Sequence, residues 1–333
     1  MSGLRRRATK LSQRRPDVAA VTRRRACGCI LSALCCATAL QAQASALIAD
    51  AVELIEVARG LHVFRGAHEE ATPENLGAIA NIAAIIGEEA VAVVDTGGTF
   101  AWGSRFRAAI RLLTTLPIRY VINSHVHPDH VLGNAAFDAD APEIVGHAKL
   151  LDALAARGGY YLQQVTELLS DAAAGTRIVT PTMLISGRQE IDLGGRILRL
   201  QAHPTAHTDN DLSVFDLATN TLLTSDLLFM DRIPVIDGSL NGWLAVLNDL
   251  RQLPADLVVP GHGPASAPWP AALDAEERYL RTIQSDIRAL IAAGVTMEQA
   301  VESAGQAERN SWLLFDSFHS RNIVTAFAEL EWE

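Results

Sequence analysis

The sequence predicts an α/β fold, a layered sandwich of sheets with helices on the outside. Three observations predict it. Short β-branched runs separated by glycine fill the first half, helical periodicities then alternate with further strands in mixed order, and 49% of the 333 residues are hydrophobic, enough to bury a large core. The runs at 52–56, 61–65, 80–86 and 90–94, punctuated by Gly66 and Gly87, read as antiparallel strands with turns. Phe106, Ile110 and Leu113 recur at helical spacing until Pro117 stops them. Tyr120 to Ile122 forms the next strand and delivers the chain into a histidine cluster. Further strands are expected near 142–145, 190–201, 212–216, 221–224 and 256–259, with helices near 148–170 and 241–252. From about residue 267 the chain reads as helical: Leu280, Ile283, Ile287 and Leu290 share one face, and Thr296 with Gln299 makes a capping-box pattern. No repeat or low-complexity linker divides residues 47–333, which are expected to form one domain.

Residues 1–46 read as an export signal. A basic stretch ending at Arg23-Arg24-Arg25 precedes an apolar run from Ala26 to Leu40, and Ala42-Gln43-Ala44-Ser45-Ala46 offers small-x-small cleavage sites. The apolar run is about 15 residues, short of the roughly 20 a membrane-spanning helix needs, so a periplasmic or secreted protein without a stable membrane anchor is expected. Thr22-Arg23-Arg24 is compatible with twin-arginine export. All four cysteines, Cys27, Cys29, Cys35 and Cys36, lie in this segment, so any metal in the mature chain must be held by histidines and carboxylates. The first 46 residues also carry nine of the 28 basic side chains and one of the 38 acidic ones, leaving the remainder at a net −18. A body that acidic, without a basic stripe, argues against nucleic-acid partners, whose binding requires clustered Lys and Arg. A small-molecule substrate is expected instead.

The chemistry concentrates in His125-Val126-His127-Pro128-Asp129-His130. Two imidazoles two residues apart in an extended segment lie on one side and can grip one ion together. Pro128 then suits the first turn of a helix, so Asp129 and His130 turn toward a different place, and a single ion would not use all four side chains. Zinc needs three or four such ligands, so distant segments must supply the rest. Three candidates sit at expected strand ends: His207 in Thr205-Ala206-His207-Thr208-Asp209-Asn210, Asp226 after Leu222-Leu223-Thr224, and His262 after Val258-Val259-Pro260-Gly261.

Val93-Val94-Asp95-Thr96-Gly97, HVHPDH, AHTDN, SDLLF and PGHGP together resemble five ordered motifs of the metallo-β-lactamase superfamily, over roughly residues 53–265. That resemblance implies a four-layer αββα sandwich and two zinc ions. By position, His125, His127 and His207 would bind the first ion, and Asp129, His130 and His262 the second. Asp226 would bridge them, as in glyoxalase II-like members, where class-B β-lactamases carry a cysteine. Asp95 would support the ligands from behind. The stretches IANIAAIIGEEAVAVVDTGG, INSHVHPDHVLGNAAF, DGSLNGWL and HSRNIVTAFAELEWE are similar, more narrowly, to the quinoprotein relay system zinc metallohydrolases. These are exported proteins encoded near pyrroloquinoline quinone-dependent oxidation systems, which implies a quinoprotein dehydrogenase system as partner.

The implied function is a dinuclear zinc hydrolase cleaving a small ester, thioester, lactone or lactam with a metal-activated hydroxide that Asp129 orients. Class-B β-lactamase-like activity, a non-catalytic metal-binding accessory role and a mononuclear iron persulfide dioxygenase stand as alternatives. Among the other candidates, His62 and His147 read as structural, His203 as either packed or supporting the site, and His68 as a solvated loop residue or part of a flap. His319, Arg321 and Asn322 would either cap the site or dock the last helix, and Trp243 reads as core.

Overall fold

The computed structural model describes residues 52–333; the expected export signal, with its four cysteines, lies outside the described residues. Two mixed sheets face each other. The first runs in chain order through β1 (Ile55–Ala58), β2 (Leu61–Phe64), β3 (Ile82–Ile86), β4 (Val91–Val94), β5 (Ile118–Ile122), β6 (Glu143–His147) and β7 (Met183–Ile185). Its pairings are antiparallel as far as β4 and parallel from there on. The second comprises β8 (Arg188–Asp192), β9 (Ile197–Ala202), β10 (Leu212–Asp216), β11 (Thr221–Phe229), β12 (Leu257–His262) and β13 (Ala267–Pro268). Here β11 and β12 pair in parallel and the other neighbours antiparallel.

Alternation along the strands builds the layers. Ala83, Ile85, Ala92 and Val94 point between the sheets, where they meet Leu198, Leu200, Val214, Leu223 and Val259 of the second sheet. Their neighbours Ile82, Ala84, Val91 and Val93 point outward onto Trp102, Phe106 and Ile110 of helix α1 (Phe100–Leu113). Thr99 caps that helix by accepting from Trp102 N. Each such fully buried large apolar side chain contributes about 1.5–3 kcal/mol. Helix α2 (Pro128–Val131) begins at Pro128, as its missing N–H and fixed φ favour, and packs under α3 (Leu150–Leu169).

The outer face of the second sheet is covered by α4 (Leu240–Arg251), α5 (Asp274–Ala292) and α7 (Phe315–Leu330), through Trp243, Leu247, Tyr279, Ile283, Ile323 and Phe327. Between the last two lies α6 (Met297–Ser303), whose Thr296–Gln299 capping box is formed. Helices outside two apposed sheets make the αββα sandwich.

Four details differ from expectation, the first being that residues 267–268 form β13 rather than helix, with the C-terminal α-helices beginning only at Asp274. The run 190–201 is a hairpin rather than one strand: Gly194 and Gly195 adopt φ of 88° and 81°, and Asp192 accepts from both their N–H groups. The first strand begins at Ile55 rather than 52. Asp226 does not follow its strand but lies within β11, which continues to Phe229. The β11–β12 register breaks around Ser225, at φ 47°, and this kink lets the strand run on while turning Asp226 toward the site.

Candidate metal centre

The ends of β4, β5, β11 and β12, with the loop before β10, meet at one edge of the sandwich. Asp95 follows β4 in the left-handed region, φ 59°, and is 1% exposed. Its Oδ1 accepts from Ser124 N at 2.8 Å and its Oδ2 from Ser124 Oγ at 2.7 Å, fixing the loop that carries His125 and His127. Gly261 lets β12 pass the site closely: an added Cβ would stand 2.0 Å from Asp226 Oδ1.

Five histidines each present one nitrogen inward while the other is held by an acceptor. His207 Nδ1 donates to Val235 O at 2.6 Å and His262 Nδ1 to Ile79 O at 2.8 Å. His130 Nδ1 donates to Asp95 Oδ2 at 2.8 Å, and His127 Nε2 to Asp237 Oδ2 at 3.1 Å. Ser124 gives its proton to Asp95, so its oxygen accepts from His125 Nδ1 at 2.9 Å. Each hydrogen bond fixes a tautomer and turns the remaining lone pair into the site, an arrangement typical of metal-ligating imidazoles.

The lone pairs converge in two groups, His125, His127, His207 and Asp226, and Asp129, His130 and His262. His127 Nδ1 lies 3.0 Å from both His125 Nε2 and His207 Nε2. Asp226 reaches both groups: its Oδ2 is 3.7 Å from His125, 3.5 Å from His207 and 3.4 Å from His262, and its Oδ1 is 3.2 Å from His130. Asp129 Oδ2 lies 3.6 Å from His130 and 3.5 Å from His262. Ligands about 2.0–2.1 Å from a tetrahedral ion stand about 3.3–3.4 Å from one another, so these separations suit metal ligation.

The electrostatics agree. Burial pushes His207 down to about 3 and, with the neighbouring imidazoles, holds His125 well below the usual range, so both are neutral and able to ligate. Burial alone would keep Asp226 protonated, yet His130 and His262 hold it well below the carboxylate range. His130 is pulled the other way against its own desolvation, raised by Asp226, Asp129 and Asp95. The carboxylates thus draw a proton onto His130, the positive charge that a bound metal cation would replace. Among the described residues His130 Nε2 and Asp226 Oδ1 are buried without a hydrogen-bond partner, the orphaned atoms a metal would satisfy. The donor set, His and Asp without sulfur, fits zinc and equally other divalent ions that accept imidazole and carboxylate.

The structure thus brings His125, His127, Asp129, His130, His207, Asp226 and His262 together. Of the remaining candidates, Arg321 lines the cavity over these ligands, and the histidines, Asn322 and Trp243 lie elsewhere. His203 bonds Ser213 Oγ at 2.7 Å, and burial pushes it down to about 4. His147 accepts from Lys149 N, and His62 sits in β2. His68 contacts Arg65 at 3.2 Å and Asp231 at 3.7 Å. His319 donates to Ala304 O and pairs with Tyr279 OH, docking the last helix. Asn322 accepts from Ile236 N and donates to Pro234 O, steadying the segment that carries Val235. Trp243 is fully buried, donates to Leu227 O, and stands 5.3 Å from the His207 ring.

Sequence reasoning missed Asp237, which receives His127 and ion-pairs with Arg157 and with Arg321 at 2.9 Å. Burial opposes its charge, but the His127 hydrogen bond and both guanidinium groups keep its carboxyl below the usual range. Its partners lie 80 and 84 residues away, and no local spacing announces them. A cavity of about 540 Å³ opens over the ligands, walled in part by Tyr160, Tyr161, Phe318 and Arg232.

Comparison with known proteins follows the same geometry. The sequence profile of the metallo-beta-lactamase superfamily matches residues 77–262. Among curated proteins nothing matches. A metallo-beta-lactamase from Pontibacter korlensis is similar in structure at 17% identity and TM-score 0.54, covering 69% of this chain and 98% of its own. One from Hirschia baltica is similar at 18% identity and TM-score 0.53, covering 69% and 97%. The stereoselective inverting sec-alkylsulfatase Pisa1 from Pseudomonas sp. is similar at 20% identity and TM-score 0.55, covering 75% of this chain but 45% of its own. At these identities the likeness concerns the fold. The profile spans more than half the chain and runs from the loop before β3 to the last histidine of the site, and by that match this chain belongs to the metallo-β-lactamase superfamily.

Proposed function

We propose that this chain is an exported hydrolase with two zinc ions, cleaving a small ester, thioester, lactone or lactam, and that it serves a quinoprotein oxidation system. One observation carries the hydrolytic reading: a single carboxylate, Asp226, extends its two oxygens into two adjacent ligand groups at the floor of a cavity. A structural zinc closes its coordination with four ligands and has no use for a second group sharing one of them. His125, His127 and His207 would hold one cation, Asp129, His130 and His262 the other, with Asp226 between. The chemistry supplied there, when both cations are held, is polarisation of a scissile carbonyl and acidification of water. Asp129 borders the cavity and its side chain is 17% exposed against 4% for Asp226, so it is the ligand carboxylate able to meet and orient a water. Asp237 holds the His127 ring in place. Export and the quinoprotein link rest on the sequence alone.

The test combines metal analysis with steady-state turnover of nitrocefin, lactones and glutathione thioesters. Two metals per chain with turnover of one of these, both lost in His125→Ala and Asp226→Asn, are expected. Full activity with one metal per chain in either variant would sink the two-metal reading. A single iron with oxygen uptake on a persulfide would make the chain a dioxygenase instead.

A further inference from the structure

Arg232 stands apart from the other arginines of the cavity. Arg157 and Arg321 are both committed to Asp237. Arg232 is 5% exposed, its guanidinium lies 5.0 Å from the Phe318 ring centroid, and its Nε has no hydrogen-bond partner among the described residues. His262 Nδ1 is 3.4 Å from Nη1 but already gives its proton to Ile79 O, so the contact offers Arg232 no stable acceptor. Asp129, Asp226 and Glu70 act on it through space, and the first two belong to the metal ligands. A buried guanidinium without a hydrogen-bonded counter-charge is costly, and an oxyanion in the cavity would supply acceptors matched to its fork.

The second feature is an apolar recess. Ala71, Ile79, Pro128 and Asp129 border both the main cavity and a further space of about 290 Å³, which therefore adjoins the metal site. It lies between the loop before β3 and the end of α3, walled by Ala71, Gly77, Ile79, Gln164, Val165 and Leu168. Leu168 is 54% exposed at its rim.

We propose that the cavity takes an amphipathic anion, its oxyanion group against Arg232 and its apolar arm in the recess beside Leu168. This names the substrate class and rests on the reading of the site as a hydrolytic centre. Hydrolysis of such an ester or thioester adds water across the acyl bond and releases an acid and an alcohol or thiol. An alkanoate carries the oxyanion and the apolar arm without the scissile bond, and so probes both. Each methylene buried in the recess is worth about fourfold in affinity. A charge-assisted hydrogen bond from Arg232 is worth about tenfold or more.

The test is calorimetric titration of the full chain with octanoate, acetate and 1-octanol, before and after chelation of its metal. With the chelated protein, octanoate is expected to bind at least about 30-fold more tightly than acetate and about tenfold more tightly than octanol. Arg232→Met should abolish the preference for acid over alcohol, and Arg232→Lys should restore part of it. Leu168→Asp, at an exposed position that leaves folding intact, should abolish the chain-length preference. Equal binding of octanoate and acetate, or an acid preference that survives Arg232→Met, overturns the proposal. Turnover of short neutral esters without preference for esters that also carry a carboxylate and an alkyl arm overturns it too, while leaving the hydrolase reading standing. Octanoate binding that depends on both residues, in a metal-loaded protein without turnover, supports the binding site and sinks the hydrolase reading.

Discussion

Replacing Gly261 with alanine tests the shared-carboxylate geometry without replacing a ligand residue. The new Cβ would stand 2.0 Å from Asp226 Oδ1 and 2.6 Å from both Asp226 N and Ser225 C. Carbon and oxygen settle at about 3.5 Å, so the carboxylate must retreat by roughly 1–1.5 Å or the β11 backbone must shift. Metal ligands tolerate about 0.2 Å, so either movement takes Asp226 out of reach of one ligand group. On the two-cation reading proposed above, bound metal should fall from about two per chain to one or fewer. A misplacement of about 1 Å should also cost about 100-fold or more in turnover. Overpacking adds about 1–3 kcal/mol of destabilisation, which thermal unfolding would read as a lowered Tm. Gly159→Ala is the control, since its Cβ meets nothing within 4 Å and lies in α3, where alanine favours the helix. Metal would be counted by elemental analysis after dialysis, with turnover measured on the same samples. A folded Gly261→Ala protein with wild-type metal content and activity would refute the placement of Asp226 between the two groups.

Other consequences can be checked in parallel. Asp237→Asn removes the carboxylate that receives His127 and two guanidinium groups, and should weaken metal affinity about 10–100-fold in chelator competition. Glu276 is fully buried, and desolvation, with the nearby Asp226, holds its carboxyl well above the usual range despite a hydrogen bond from Phe229 N. The folded protein therefore keeps this proton above pH 4.5 while the unfolded chain loses it, so stability falls as pH rises through that window. Glu276→Gln should flatten that part of the slope in urea midpoints measured across pH, and an unchanged slope would show that Glu276 is not its source. Phe106→Ala, which empties a fully buried site where α1 meets the first sheet, should cost about 3–5 kcal/mol in denaturant unfolding. Metal content per folded chain should stay unchanged in that variant.

The strand and helix pattern was legible because it is local. Alternation at Ala83–Ile86 and Val91–Val94, the Pro128 helix start and the Thr296 capping box each depend on residues a few positions apart. The same holds for the division of His125-x-His127 from Asp129-His130: an extended pair faces one way, and proline turns the chain before the next pair arrives. Those features, with the order of the five motifs, were enough to name the superfamily and nominate all seven residues that the fold then gathers at one edge.

What the tertiary structure decided is what depends on contacts between distant segments. Asp226 reads in sequence as a residue after a short strand; pairing with β12 extends that strand past it, and the kink at Ser225 aims its two oxygens at different histidines. Asp237, Arg157 and Arg321 come from two helices and a loop and meet only because both sheets and the last helix are in place. The Nε of Arg232, without a hydrogen-bond partner among the described residues, and the recess beside Leu168 are likewise invisible to spacing. Periodicity is set by backbone geometry within a few residues, whereas lone-pair convergence and uncompensated charge exist only once segments far apart in the chain share the same space.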